Sequence, residues 1–235
     1  VEELVALDGA KHIEAEELLG LLQHALDLRQ MQSVGRLLQL PSTAEFRAAD
    51  VEALLLRCVQ LEWPLRSDWY DPEANATCIV SSLGTVQKLD AAALLRLLQA
   101  AVAHGDKLVL PLLVQQPMAA NIAAADVAAL LEAAVLRNDV RLVQQLCQLA
   151  GAQVLEASAL LQLLQAAVSC RRVSFDGVSD TGFFLLQLPG ARQLSADSLQ
   201  ALLLVASGVR WQGMRSATAV ALEGLLIECR RRWQM

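Results

Sequence analysis

The stretch from Ile122 to Leu155 reads IAAADVAALLEAAVLRNDVRLVQQLCQLAGAQVL, and its spacing decides the fold. Val127, Leu130, Leu131, Ala134 and Val135 recur at the 3.6-residue period of a helix with one apolar face. A polar break, Arg137-Asn138-Asp139, follows. Val140, Val143, Leu146 and Cys147 then outline a second, shorter helix. Its expected end is Leu149-Ala150-Gly151, because glycine takes the left-handed cap conformation. The stretch predicts a pair of helices joined by a tight turn.

The pattern recurs along the chain. Let the units start at Ile13, Phe46, Leu89, Ile122, Leu155 and Leu194. Two places on, each has alanine: Ala15, Ala48, Ala91, Ala124, Ala157 and Ala196. Eight and nine places on, each has a leucine pair: Leu21-Leu22, Leu54-Leu55, Leu97-Leu98, Leu130-Leu131, Leu163-Leu164 and Leu202-Leu203. Twelve places on stands a small residue: Ala25, Cys58, Ala101, Ala134, Ala167 and Ala206. The starts lie 33, 43, 33, 33 and 39 residues apart. Breaks such as His104-Gly105-Asp106 separate the first helix of a unit from the second. Leu40-Pro41-Ser42, Gln116-Pro117-Met118 and Leu188-Pro189-Gly190 read as stops after the second helix, since proline cannot continue one. Ser, Asp or Glu precedes the next first helix, as in Leu194-Ser195-Ala196-Asp197, where a side-chain oxygen can accept a free amide.

β-Branched residues alternate nowhere for long, and Asp176-Gly177 is not flanked by alternating apolar runs. The expected fold is therefore all-α: a single solenoid over 1–235 of about six stacked antiparallel helix pairs. Its units are 13–45, 46–88, 89–121, 122–154, 155–193 and 194–235. Residues 1–12 align with the end of a unit, Val1 to Ala10 matching Val143 to Ala152. The chain is thus expected to begin inside the second helix of an earlier unit.

Leu130-Leu131-Glu132-Ala133-Ala134, Asn138-Asp139, Leu142-Val143, Leu146 and Gly151-Ala152 together resemble an ankyrin repeat. Leu97-Leu98-Gln99-Ala100-Ala101, Gly105-Asp106 and Leu112-Leu113 do so again. The likeness spans nearly the whole chain and extends more loosely to helical-hairpin repeats of the pentatricopeptide type. It lacks the Thr-Pro-Leu-His opening of ankyrin units. Gln153–Ala157, in the place of the β-finger, reads as a helix start, so the fingers are expected to be reduced or absent. The resemblance implies protein–protein recognition and no chemistry.

Composition limits the role further. Of 235 residues, 55% are apolar, which excludes disorder as the main state. The net charge of −6 argues against a phosphate-neutralising surface, so nucleic acid is not the expected partner. Residues 1–121 hold nine basic and sixteen acidic side chains, a net of −7, and would steer a basic partner. Residues 122–235 come to +1. Arg230-Arg231-Arg232 suits the C-terminal end of a helix. Cys58, Cys78, Cys147, Cys170 and Cys229 form no CxxC pair and fit a reducing, intracellular compartment, the cytoplasm first. The N-terminus lacks the basic and apolar regions of a signal peptide. The apolar runs Leu199–Val209 and Leu108–Val114 fall short of the roughly 20 residues a membrane span needs.

Catalytic, cofactor and metal sites are expected to be absent. His12, His24 and His104 have no companion at ligand spacing, and Asp68 with Asp71 falls short of a calcium loop. The candidate partner site lies where units differ, because insertions in repeat arrays map to one face. The second unit is long around Glu62–Pro72 and the fifth around Cys170–Gly177, both between first and second helix. The sixth has Gly208–Gln212 in the same turn. These turns hold five of the nine aromatics. Trp, Tyr and Arg dominate interface energetics, so the candidate residues are Trp63, Arg66, Trp69, Tyr70, Arg172, Phe175 and Trp211. Trp63 and Trp211 share one offset and equally suit packing over helix ends. The expected function is a non-catalytic protein-interaction scaffold. The alternatives are an RNA-binding helical repeat and a recruiting segment of a larger enzyme.

Overall fold

In a computed structural model the chain is described at residues 13–60, 89–169, 181–208 and 217–233. It divides into two compact units, Val1–Ala119 and Ala120–Met235. Among the described residues all regular structure is helical and there is no strand. The first unit contains α1 (Ala15–Asp27), α2 (Met31–Leu37), α3 (Ala48–Gln60), α4 (Ala91–His104) and α5 (Val109–Val114). The second contains α6 (Ala124–Leu136), α7 (Val140–Leu146), α8 (Ala150–Gln153), α9 (Ala157–Ser169), α10 (Thr181–Leu186), α11 (Ala196–Gly208) and α12 (Ala217–Trp233). No described helix is long and apolar enough to cross a membrane.

The repeated alanine is the first residue of each first helix: α1, α3, α4, α6, α9 and α11 all begin on it. Two places earlier, Phe46, Leu89, Ile122, Leu155 and Leu194 are buried. So is the apolar residue five places after each start: Leu18, Val51, Leu94, Val127, Leu160 and Leu199. A buried residue just before the cap, matched by one at the fourth helical position, is the arrangement of a hydrophobic staple, which fixes how the chain enters a helix. Side-chain caps are less regular. Asp90 Oδ1 accepts the Ala93 amide at 2.7 Å, and Ser195 Oγ accepts that of Ser198 at 3.1 Å. Glu14 and Ala123, in the same place, make no such bond. At Ala123 the buried pair Ile122 and Val127 carries the helix start, and at Glu14 the buried Leu18 stands at the fourth helical position.

The turn between first and second helix is one conformation used repeatedly. Sixteen places after a unit start, Arg29, Gly105 and Asn138 have φ of 55°, 71° and 54°. The next amide folds back on the buried small residue: Asp106 N–H donates to Ala101 at 2.8 Å, Asp139 to Ala134 at 3.2 Å and Gln30 to Ala25 at 2.9 Å. These reverse bonds satisfy carbonyls left free at a helix end. Asp106 Oδ1 then caps α5 through the amides of Leu108 and Val109, and Asp139 Oδ1 caps α7 through Arg141 and Leu142.

The prolines after the second helices do more than stop them. Pro41–Glu45, Pro117–Asn121 and Pro189–Gln193 are one-turn 3-10 helices, and the short α8 occupies the same place without proline. Proline suits a first helical position, where its missing N–H costs nothing. These turns lead into the next unit and fold back on the start of their own. Ser42 Oγ donates to the carbonyl of Ile13, the start of its own unit. A Cβ on Gly151 would stand 3.1 Å from the carbonyl of Ile122, and one on Gly190 2.6 Å from that of Leu155. Each of these carbonyls likewise belongs to the start of the glycine's own unit.

Helix packing within the first unit pairs α1 with α2 and α4 with α5, and places α3 against both α1 and α4. Within the second, α6 pairs with α7, α9 with α10 and α11 with α12. First helices α6, α9 and α11 touch in sequence, and so do second helices α7, α10 and α12. Gly182 of α10 allows the closest approach, where a Cβ would meet Thr218 of α12 at 2.5 Å.

Candidate functional site

Trp63, Arg66, Trp69, Tyr70, Arg172, Phe175 and Trp211 all lie outside the described residues. The turn insertions that carry them do too. The site that can be built from described residues is instead on the first helices, along the seams where one meets the next.

In the first unit these seams are closed by ion pairs. Arg96 of α4 grips Glu52 of α3 with two bonds, Nε–Oε1 at 2.6 Å and Nη2–Oε2 at 2.9 Å. Arg57 of α3 donates to Asp27 of α1 at 2.7 Å. The guanidinium in each case holds its carboxyl below the ordinary range, chiefly through the hydrogen bond itself. Counted from their unit starts, the first pair joins place six to place seven and the second joins place fourteen to place eleven.

The second unit has no charge at the same places. Across α9 and α11 they are Leu161 opposite Ala201, and Ser169 opposite Val205. Here the seam opens into a groove of about 370 Å³. Leu161, Val168, Ala201, Leu202 and Val205 supply its apolar surface. Gln165, Ser169, Asp197 and Ser198 supply the polar rim. Leu26, Val59, Val102 and Val135 stand where Val168 does in their own units and are buried, whereas Val168 is only partly buried. Further along the same row, Leu136 of α6 is 64% exposed, and Leu204 and Val205 of α11 are 68% and 53% exposed.

Among the described residues no group of three or more His, Cys, Asp or Glu side chains is placed to hold a metal ion. His24 lies in the last turn of α1 and His104 ends α4, both exposed. Cys58 is buried in α3, and Cys147 follows α7. Burial pushes both thiols up to about 12, so neither supplies a thiolate at neutral pH. The buried carboxyl of Asp106 serves a helix start. The chemistry the seam offers is burial of apolar side chains next to carboxylate and amide groups.

No protein-family model matches the chain, and neither a curated protein nor a solved structure is similar to it.

The seam was open to a closer reading of the sequence. Aligning units by their starts shows arginine and carboxylate facing each other at Glu52–Arg96 and Asp27–Arg57, and none at the equivalent places of α6, α9 and α11. What that reading could not supply is which apolar positions stay uncovered.

Proposed function

We propose that this chain is a non-catalytic protein-interaction module, an α-solenoid of ankyrin-like period without β-fingers. The successive contacts α6–α9–α11 and α7–α10–α12, with one-turn helices between units, support the solenoid reading. The observation that carries the functional reading is the uncovered apolar surface of the first helices. Leu136, Leu204 and Val205 each leave more than half of their surface in water. Leu28, Val154, Val220 and Ile227 are as exposed elsewhere, as single apolar side chains are on any protein, but Val205 also lines a groove between two first helices. Burying such surface against a partner is a main driving force of association. The turn residues Trp69 and Tyr70 are proposed separately as partner contacts.

The test is capture of partners from a native extract, compared between the chain and the double variant Trp69→Ala, Tyr70→Ala, with thermal unfolding measured on both. The expected result is a specific protein partner that the variant loses while its unfolding temperature hardly changes. An eluate dominated by RNA, or one with no specific protein, would overturn the reading. A variant that unfolds early yet keeps its partner would remove Trp69 and Tyr70 from the surface.

A further inference from the structure

We propose that the groove between α9 and α11 docks a short amphipathic segment of a partner protein, with apolar side chains at helical spacing and lysine or arginine beside them. This rests on the protein-interaction reading above and names the surface and the chemistry of the partner.

Three observations lead there. The groove has the composition of a peptide cleft. Its walls are aliphatic, its rim is polar, and its 370 Å³ lies near the low end of the ~300–1,000 Å³ typical of ligand sites. That is room for a few side chains and suits the helix-in-groove mode, in which apolar anchors enter and the rest of the segment stays wet.

The groove also occupies a position that the fold closes elsewhere. Glu52–Arg96 and Asp27–Arg57 bridge the corresponding seams of the first unit. Substituting Leu161, Ala201, Ser169 and Val205 at those places removes both bridges and leaves aliphatic surface.

The third observation is charge. Helices α6, α9 and α11 contain three acids, Asp126, Glu132 and Asp197, and no lysine, arginine or histidine. The ten basic residues of 122–235 all lie outside these three helices, with Arg137 at the C-cap of α6 and Arg192 in the turn before α11. Asp197 stands on the rim of the groove itself. An apolar segment flanked by cations matches this field, and one flanked by carboxylates is repelled by it. Charge at the rim acts mainly on approach and on choice of partner, while buried apolar anchors hold the complex.

The experiment is selection from a displayed library of short random peptides on the intact chain, followed by titration of the enriched peptides by fluorescence anisotropy. Two variants serve as controls. Leu161→Glu with Ala201→Arg transplants the Glu52–Arg96 bridge into the open seam. Val205→Lys places a cation at an exposed position on the groove. Circular dichroism checks that each stays folded, and the exposed Val205 position leaves a usable control if the double variant does not fold.

The enriched pool is expected to combine apolar residues at helical spacing with an excess of Lys and Arg. Affinity should fall about tenfold or more in either folded variant, and it should weaken as salt rises. Enrichment of acidic peptides, equal binding to both variants, or no enrichment would overturn the inference. So would contacts from residues 170–180 to Leu161 or Val205 in the free chain that no peptide displaces, or self-association of the chain through this groove. If extract capture succeeds and is unaffected by the groove variants, only this inference fails; if capture itself fails, the broader reading goes with it.

Discussion

Single residues at the joints between units are chosen by distance to another stretch of backbone. Gly190 is the sharpest case, because a Cβ there would lie 2.6 Å from the carbonyl of Leu155. Backbone cannot yield as the end of a flexible side chain can, so Gly190→Ala should cost about 1–3 kcal/mol. Gly20, inside α1, has no neighbour within 4 Å of where its Cβ would stand. Gly20→Ala should raise stability by about 0.5–1 kcal/mol, since glycine in a helix interior loses more backbone freedom on folding. Chemical denaturation of both variants separates the two effects. Equal effects of the same sign would show that close approach does not govern Gly190. Ser42 solves the same steric problem differently, with a small hydroxyl that bonds to the carbonyl of Ile13.

Between elements, the informative contrast is how neighbouring first helices meet. The α3–α4 seam is closed by Arg96 on Glu52, a partly exposed pair whose contribution is small and depends on ionisation. The guanidinium lowers the Glu52 carboxyl below its ordinary 4.5. A lowered carboxyl stabilises the fold above the unfolded value, and that stability is lost as pH falls through the lower, folded value. Glu52→Gln should therefore unfold at a lower temperature than the parent chain at neutral pH. The gap should stay level down to about pH 5 and close on further acidification. A gap that persisted unchanged in acid would mean that the carboxylate charge is not what the variant removed. The α9–α11 seam has no such pair, so its stability has no matching acid dependence.

Over the whole molecule, charge and apolar surface are distributed differently. The acid excess falls within 1–121, yet the first helices of the second unit hold no Lys, Arg or His. A chain of net charge −6 lacks the cation density that drives non-specific phosphate binding. Single-stranded RNA should therefore show no saturable anisotropy change up to about 10 μM chain at about 150 mM salt. Saturable, salt-sensitive binding in that range would favour the RNA-binding alternative. The partner residues anticipated in the turns, Trp63 to Trp211, lie outside the described residues, whereas the groove stands on helices that the repeat itself positions.

The sequence by itself determined the helices. The 3.6-residue period set their apolar faces, the repeated alanine marked where each first helix begins, and Gly105, Asn138 and their aspartate neighbours marked the turns. These are local properties, decided by backbone conformation and by hydrogen bonds within a few residues. Only the tertiary structure decided what a given apolar residue does. Val135 and Val168 occupy the same place in successive units, and one is buried while the other lines a groove. Their difference comes from the helix packed beside each. The same holds for Pro41, Pro117 and Pro189: as local signals they end a helix, but in the fold they begin the short turns that carry one unit onto the next. Exposure and close approach are relations between residues far apart in the chain, and they become fixed when the units pack.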